Sequence, residues 1–405
     1  MFLEFVFLGK KPCGCWKIQV TGKSLWPWLI ESLQENILRY YLETSDFEGL
    51  KSLFCHGLSV NTEICGNTLL WWAVEKQDSS LVLFFLENGA YLDSMNAQSP
   101  SILLKVFEKA KGIQDAASEG FKMVKMLLEK GAEVNVADRC GDSAAMIALN
   151  SMNMPLFCLL IEHGADVNRG GKVESLLAAA VRMQLPEAVR LLLAQGAEMT
   201  TDSDGRPLLH TAILMNNPEI VELLLEHGAD VKERDDNGET PFLLNAGGYC
   251  NEAIATALLK FGADINERTS DGGGVLHIGL YSFEAEKDSQ WFDFLLNHGA
   301  DLEMEDNEGI TPFAFAMQFE KLSLMDYLLS RGVDPDGINQ KTMPPLMVTV
   351  LRNQPQSARL LLKYHADPTI RCGAESPLEY VSKRGSAEMK QVFEPFLGSN
   401  RAIPG

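Results

Sequence analysis

The chain has 405 residues, of which 46% are hydrophobic, and 35 Lys and Arg stand against 55 Asp and Glu for a formal net charge of −20. That acidity argues against a nucleic-acid backbone or an anionic membrane as the main partner and favours basic or neutral protein surfaces. No apolar run approaches the roughly 18 residues that a transmembrane helix needs, so no transmembrane segment is expected.

The N-terminus begins MFLEFVFL, apolar but short, interrupted by Glu4 and without a basic leader or small-residue cleavage site. A signal peptide is therefore not expected, and the chain reads as cytoplasmic. Its eight cysteines, at 13, 15, 55, 65, 140, 158, 250 and 372, are scattered as reduced small hydrophobes are, not as a disulfide framework. Cys13 and Cys15 form the one close pair, and without a second pair they make no zinc site, so neither metal nor cofactor is expected. Residues 1–28 read as a cap, with a short strand in Lys17 to Thr21 and Trp16, Trp26 and Trp28 as a lid on the first helices; the competing reading is a remnant of another domain. Gly22-Lys23-Ser24 is not a phosphate loop, because Lys17 stands where the first glycine would be needed.

From Ile30 the chain turns helical, and Asp46 is placed to cap a helix that ends at Gly57. Trp71 and Trp72 follow; adjacent residues point to different helix faces, so one could pack inward and one outward, although both are expected to be largely core. KAKGIQDAASEG, Lys109 to Gly120, reads as a polar loop inserted between two helices. Asp204 to Asp230 reads as a complete turn–helix–turn–helix unit. Gly205 makes the turn, Pro207 sits where a first helical turn needs no amide donor, a helix runs from about Leu208 to Met215, Asn216 and Asn217 break it, and a second helix from about Pro218 ends at Gly228. Gly247, Gly248 and Asn251 lengthen the next helix–helix turn, and SFEAEKDSQ, Ser282 to Gln290, reads as a second insertion emerging from the same edge as the first. Ser376 to Leu397 has the polar character of a terminal cap, and residues 398–405 read as a disordered tail.

The terminating glycine recurs at Gly57, Gly89, Gly131, Gly164, Gly196, Gly228, Gly262, Gly299 and Gly332, with His365 in the tenth slot, at intervals of 32, 42, 33, 32, 32, 34, 37, 33 and 33. A period near 33 with openings such as Pro207-Leu208-Leu209-His210-Thr211-Ala212, Thr240-Pro241-Phe242, Leu276-His277 and Thr311-Pro312-Phe313-Ala314 resembles the ankyrin repeat, as do the endings EHGADVN, EHGADVK, KFGADIN and NHGADLE. The array departs from the repeat's consensus, with Trp71 and Met146 in the histidine slot and Leu69 and Ala144 in the proline slot. The resemblance implies an all-α solenoid of stacked helix–turn–helix units with finger-like turns, right-handed and curved, with about eleven units over residues 29–397. It also implies a monomeric, non-catalytic scaffold or adaptor that binds protein segments on its concave face and fingers. VRMQLPEAVRLLLAQGAEM and GITPFAFAM are in addition similar to stretches of the rabankyrins, endosomal trafficking scaffolds, which would place the protein at endosomes. A substrate adaptor for ubiquitin ligation is a further alternative.

No nucleophile elbow, His-Glu-x-x-His pair or glycine-rich phosphate cradle argues for an enzyme. His210 and His277 occupy the repeat's own histidine slot, and His163, His227 and His298 precede terminating glycines, so all five are expected to serve the scaffold. The residues that the scaffold does not require are acidic: Asp202, Asp204, Asp235, Asp236, Glu239, Asp271, Glu303, Glu305, Asp306 and Glu308. Stacked fingers would set them in a ladder able to dock Lys- or Arg-rich segments; the plainer reading is a solvated turn. Trp71 and Trp72 are the other candidate contact. Asn135, Asn168 and Asn266, each eight residues after a leucine and preceded by Asp or Glu and then Val or Ile, resemble substrates of the ankyrin asparaginyl hydroxylase.

Overall fold

The computed structural model describes residues 7–8, 17–18, 27–92, 101–109, 118–280, 284–337 and 343–397. Cys13, Cys15, Trp16, Trp26, most of the stretch from Lys109 to Gly120 and the tail from residue 398 lie outside them. The chain divides into two compact blocks, residues 1–203 and 204–405.

In the first block a two-residue antiparallel ladder, β1 (Phe7–Leu8) with β2 (Lys17–Ile18), precedes the helices. These come in pairs: α1 (Pro27–Thr44) with α2 (Phe47–Cys55), then, after the short hairpin β3 (Glu63–Ile64) and β4 (Asn67–Thr68), α3 (Leu69–Glu75) with α4 (Ser79–Glu87). Next come α5 (Ile102–Lys109) with α6 (Glu119–Glu129), α7 (Ala144–Asn150) with α8 (Met154–Glu162), and α9 (Leu176–Arg182) with α10 (Pro186–Ala194). The second block holds α11 (Leu208–Leu214) with α12 (Pro218–Glu226), α13 (Pro241–Gly247) with α14 (Glu252–Lys260), and a 3-10 turn (Val275–His277) with α15 (Ala285–Asn297). It closes with α16 (Pro312–Gln318) and α17 (Leu322–Ser330), α18 (Pro345–Leu351) and α19 (Pro355–Lys363), and α20 (Pro377–Arg384) and α21 (Ala387–Leu397).

Within each block the helices form two layers. First helices pack on first helices, as α3 on α5 and α11 on α13, and second on second, as α4 on α6 and α17 on α19. A seven-residue helix cannot stand alone in water, so the layers exist because each pair buries apolar side chains against its neighbours. Leu176 to Val181 of α9 are all buried, as are Ile220, Val221, Leu223, Leu224 and Leu225 of α12. Capping sets where helices start. Thr68, Ser143, Ser175, Thr240, Thr311 and Ser376 hydroxyls cap first helices, while Asp46, Asp78, Asn153, Asn217 and Asn251 cap second helices. Each satisfies an amide that the helix itself cannot.

The recurring glycines from Gly57 to Gly332 all have positive φ, and His365 takes the same left-handed geometry at φ 69°. Several expectations are corrected. Helix α1 begins at Pro27, ahead of Ile30. Helix α11 begins at Leu208 as expected, with Pro207 as its N-cap in the slot where Thr240 and Thr311 stand in their repeats. Glu119 and Gly120 belong to α6, where Gly120 is buried. Gly247 ends α13, and Asn251 is a helix cap, its side chain accepting from the Ala253 and Ile254 amides, instead of a turn extension. Most of SFEAEKDSQ is not a loop: from Ala285 it forms the first two turns of α15, which reaches 13 residues. At Leu276-His277 the described chain forms a 3-10 turn instead of an α-helix. Three successive glycines, Gly272 to Gly274, precede it, and Gly279 at φ 80° follows, so helix propagation is weak on both sides.

Candidate functional site

The repeats are held in register by side chains that bridge each finger to the next. His210 Nε2 donates to the Glu239 carbonyl at 3.0 Å, and His277 Nε2 donates to the Ile310 carbonyl at 3.0 Å. That use fixes the tautomer and leaves Nδ1 as an acceptor. In His277 it receives the Gly274 amide at 3.0 Å. In His210, fully buried, Nδ1 has no hydrogen-bond partner, because the residue at the matching position is Pro207, which has no amide hydrogen. His227 and His298 use Nδ1 on the Leu223 and Phe294 carbonyls, both at 2.8 Å, and so finish their helices. His163 is the C-cap residue of α8.

A second bridge runs along the finger bases. Asn135 Oδ1 accepts the Asp166 amide at 2.8 Å, Asn168 Oδ1 the Glu198 amide at 2.9 Å, and Asn266 Oδ1 the Asp301 amide at 2.9 Å. The three candidate hydroxylation sites are thus also structural links. Asn61 and Asp336, each four residues after a turn glycine like the other three, make the same link to Tyr91 and Asp367. The hydroxylation pattern passed over Asn61 because Ser59 replaces its acidic residue, and Asp336 because it is not an asparagine.

The acidic candidates separate into two kinds. Asp235 Oδ1 accepts the Asn237 and Glu239 amides at 2.9 and 3.0 Å, and Asp306 Oδ1 accepts the Glu308 and Ile310 amides, both at 2.9 Å. These carboxylates build the turns that carry them. Partial burial works against the Asp235 charge, but the two amides prevail and hold its carboxyl below the usual range. Asp204, Asp236, Glu239, Asp271, Glu303 and Glu308 are exposed, and Asp202 and Glu305 are half-buried. Two arginines temper the row. Arg234 bonds its own Gly238 carbonyl and reaches Glu267 at 2.8 Å, and Arg268 bonds the Gly272 carbonyl and that of Glu305 at 2.8 Å. The Asn307 amide also donates to the Asp271 carbonyl at 3.0 Å, tying two fingers together.

Glu239, Asp271, Asp306 and Glu308 come together around one open groove of about 560 Å³ in the second block. Asp235 and Asp236 are not among its lining residues, nor are Asp202 and Asp204. Its other side is made by helices and the residues that follow them, with Gly247, Ile278, Leu280, Phe315 and Phe319; of these the sequence reading had singled out Gly247 alone, as a turn residue. Phe319 is 44% exposed, and its ring lies 4.6 Å from that of Phe315. The glycine run before Val275 was the available signal, since it disfavours a regular α-helix beside the groove.

Trp71 and Trp72 are not core. Both are half-buried, edge to face at 5.2 Å; Lys105 Nζ sits 4.6 Å over Trp71, Arg39 lies 5.7 Å from Trp72, and Trp72 Nε1 donates to the Ile64 carbonyl at 3.2 Å. Cations occupy the ring faces because adjacent helix positions cannot both point inward. Among the described residues no cluster of three or more His, Cys, Asp or Glu could hold a metal. No described helix is long and apolar enough to cross a membrane.

The family model described as Ankyrin repeats (3 copies) matches residues 113–203, 176–269 and 280–372, more than half of the chain. "Ankyrin repeat domain-containing protein SAT10" of Stachybotrys chartarum is 30% identical over 148 residues, 35% of this chain but only 7% of that protein. Among solved structures, the ankyrin repeat domain of Bcl-3, a member of the IkappaB protein family, is 22% identical with a TM-score of 0.43, covering 58% of this chain and all of that one.

Proposed function

The chain belongs to the ankyrin-repeat family, whose repeats are generally protein-interaction modules, and we propose from this that it is a non-catalytic cytosolic adaptor whose fingers dock Lys- or Arg-rich segments of partner proteins. The observation that carries the reading is the set of exposed carboxylates on successive fingers of the second block, Asp236, Glu239, Asp271 and Glu308. Asp236 and Glu239 stand on a turn braced by Asp235, Glu308 on one braced by Asp306, and Asp271 on one closed by Thr269 and tied through its carbonyl to the Asn307 amide, so their backbone is presented at fixed positions. Free thiols at all six described cysteines fit a reducing compartment. Fields from such a row chiefly accelerate encounter and select partner charge.

The test uses the full chain and a fluorescein-labelled octa-lysine peptide at 0.1 M salt. Changing Asp236, Asp271 and Glu308 together to Lys spares the two turn-building aspartates. Anisotropy should report binding weakened at least tenfold, about 1.4 kcal/mol. Equal affinity for the triple variant and the native chain, with unchanged helical content, would sink the reading.

A further inference from the structure

The link along the finger bases changes its chemistry toward the end of the chain. Four residues after a turn glycine stand Asn61, Asn135, Asn168 and Asn266, and each accepts an amide of the next repeat through Oδ1. A carboxamide has no charge to gain or lose, so acidity does not alter those links. In the same place after Gly299 and Gly332 stand Glu303 and Asp336. Asp336 Oδ1 accepts the Asp367 amide at 2.8 Å. The Asp367 carboxylate is itself held in place, its Oδ1 accepting the Thr369 amide at 2.8 Å and the Thr369 hydroxyl at 2.7 Å. Asp334 Oδ1 is fixed on the Asp336 amide and Asp301 Oδ1 on the Glu303 amide, both at 2.9 Å. Two successive junctions therefore set carboxylate against carboxylate. Among the described residues, the charges acting on Asp336 are Asp334 and Asp367, and those acting on Glu303 are Asp301 and Asp334, all of one sign. Partial desolvation first, and these neighbours with it, raise both carboxyls above the usual range; the Asp367 amide opposes them at Asp336 without prevailing.

We propose that the junctions at Glu303 and Asp336 form an acid-tightened clasp, in which the repeats they join are held less firmly at neutral pH than repeats joined through asparagine and become as firm on taking up protons. A protonated carboxyl keeps a carbonyl oxygen, which accepts the Asp367 amide as asparagine would. A carboxyl raised in the folded state costs stability above its folded value, and that cost disappears as pH falls through the folded value to the unfolded one, about 3.9 for Asp and 4.3 for Glu. The carboxylates depressed in the folded state, such as Glu379, act in the opposite sense but only at lower pH, so mild acidification isolates the clasp.

Hydrogen exchange on the full chain, read as protection factors at pH 7 and pH 5, tests this at single amides. On acidification the Asp367 amide should gain about threefold in protection, while the Asp166 and Glu198 amides, bonded to Asn135 and Asn168, should not change. Glu303→Gln with Asp336→Asn puts neutral amides at both junctions; at pH 7 this variant should already show the native chain's pH 5 protection at Asp367 and gain nothing more at pH 5. Asp336→Asn alone should remove most of the response. An equal gain at all three amides would trace the effect to the net charge of the whole chain and overturn the clasp. So would no gain at Asp367 in the native chain, or a gain there that survives the double variant.

Discussion

His210 shows how one residue can look chemical and be architectural. Its ring is fully buried and spans from α11 to the carbonyl that precedes Thr240, so it ties one repeat to the next. What distinguishes it from His277 is the missing donor at Nδ1, caused by proline in the cap position. Pro207→Thr should supply an amide for Nδ1 and a hydroxyl for the His210 amide, as Thr240 does for Leu243 and Thr311 for Ala314. A new cap contributes roughly 1 kcal/mol and a satisfied buried acceptor about as much, against roughly 0.4–1 kcal/mol lost with the proline's rigidity. The urea midpoint should therefore rise by an amount equivalent to about 1 kcal/mol. A midpoint that falls would show that the histidine acceptor costs nothing where it is. His365 illustrates the same scale differently: it holds at φ 69° a position where nine glycines serve elsewhere, in a conformation that any side chain but glycine's makes costly.

At the scale of elements, ends matter more than middles. The last pair, α20 and α21, starts with a capping box in which Ser376 and Glu379 exchange hydrogen bonds and Arg371 reaches Glu379 at 2.7 Å. The Arg371 hydrogen bond, then the Ser376 amide, hold the Glu379 carboxyl below the usual range. A carboxylate depressed in the folded state stabilises above its unfolded value, about 4.3, and that contribution is lost as pH falls through the lower folded value. Glu379→Gln should thus speed amide exchange across residues 377–384 at pH 6 and make no difference near pH 2. An effect of equal size at both pH values would mean that charge plays no part in the cap. The opposite extreme is α15, where residues that looked like an inserted loop extend a helix: Trp291, Phe292 and Leu295 are buried, and that anchorage outweighs the polar composition of the first turns.

For the whole molecule the dominant quantity is the net charge of −20, and it makes any docking of basic segments dependent on ionic strength. Exposed charges separated by more than a Debye length stop interacting as salt rises, so octa-lysine affinity should fall roughly tenfold between 0.05 and 0.3 M salt. Affinity independent of salt would point to apolar contacts alone. Period, helix pairing, turn residues and the bridging role of His277 were legible in the sequence because each follows from local rules: a glycine or its substitute at φ > 0, a cap, an apolar face. The acidic fingers were legible as composition. Which carboxylates are absorbed into turns, as at Asp235 and Asp306, and which border open space, as at Asp271 and Glu308, was not. Nor was the aromatic side of the groove, since Phe315 and Phe319 belong to a different repeat from Ile278 and meet it only through stacking. The sequence by itself determined the repeating unit; tertiary packing alone decided which side chains border open space, because that depends on the neighbouring repeat stacked beside each turn.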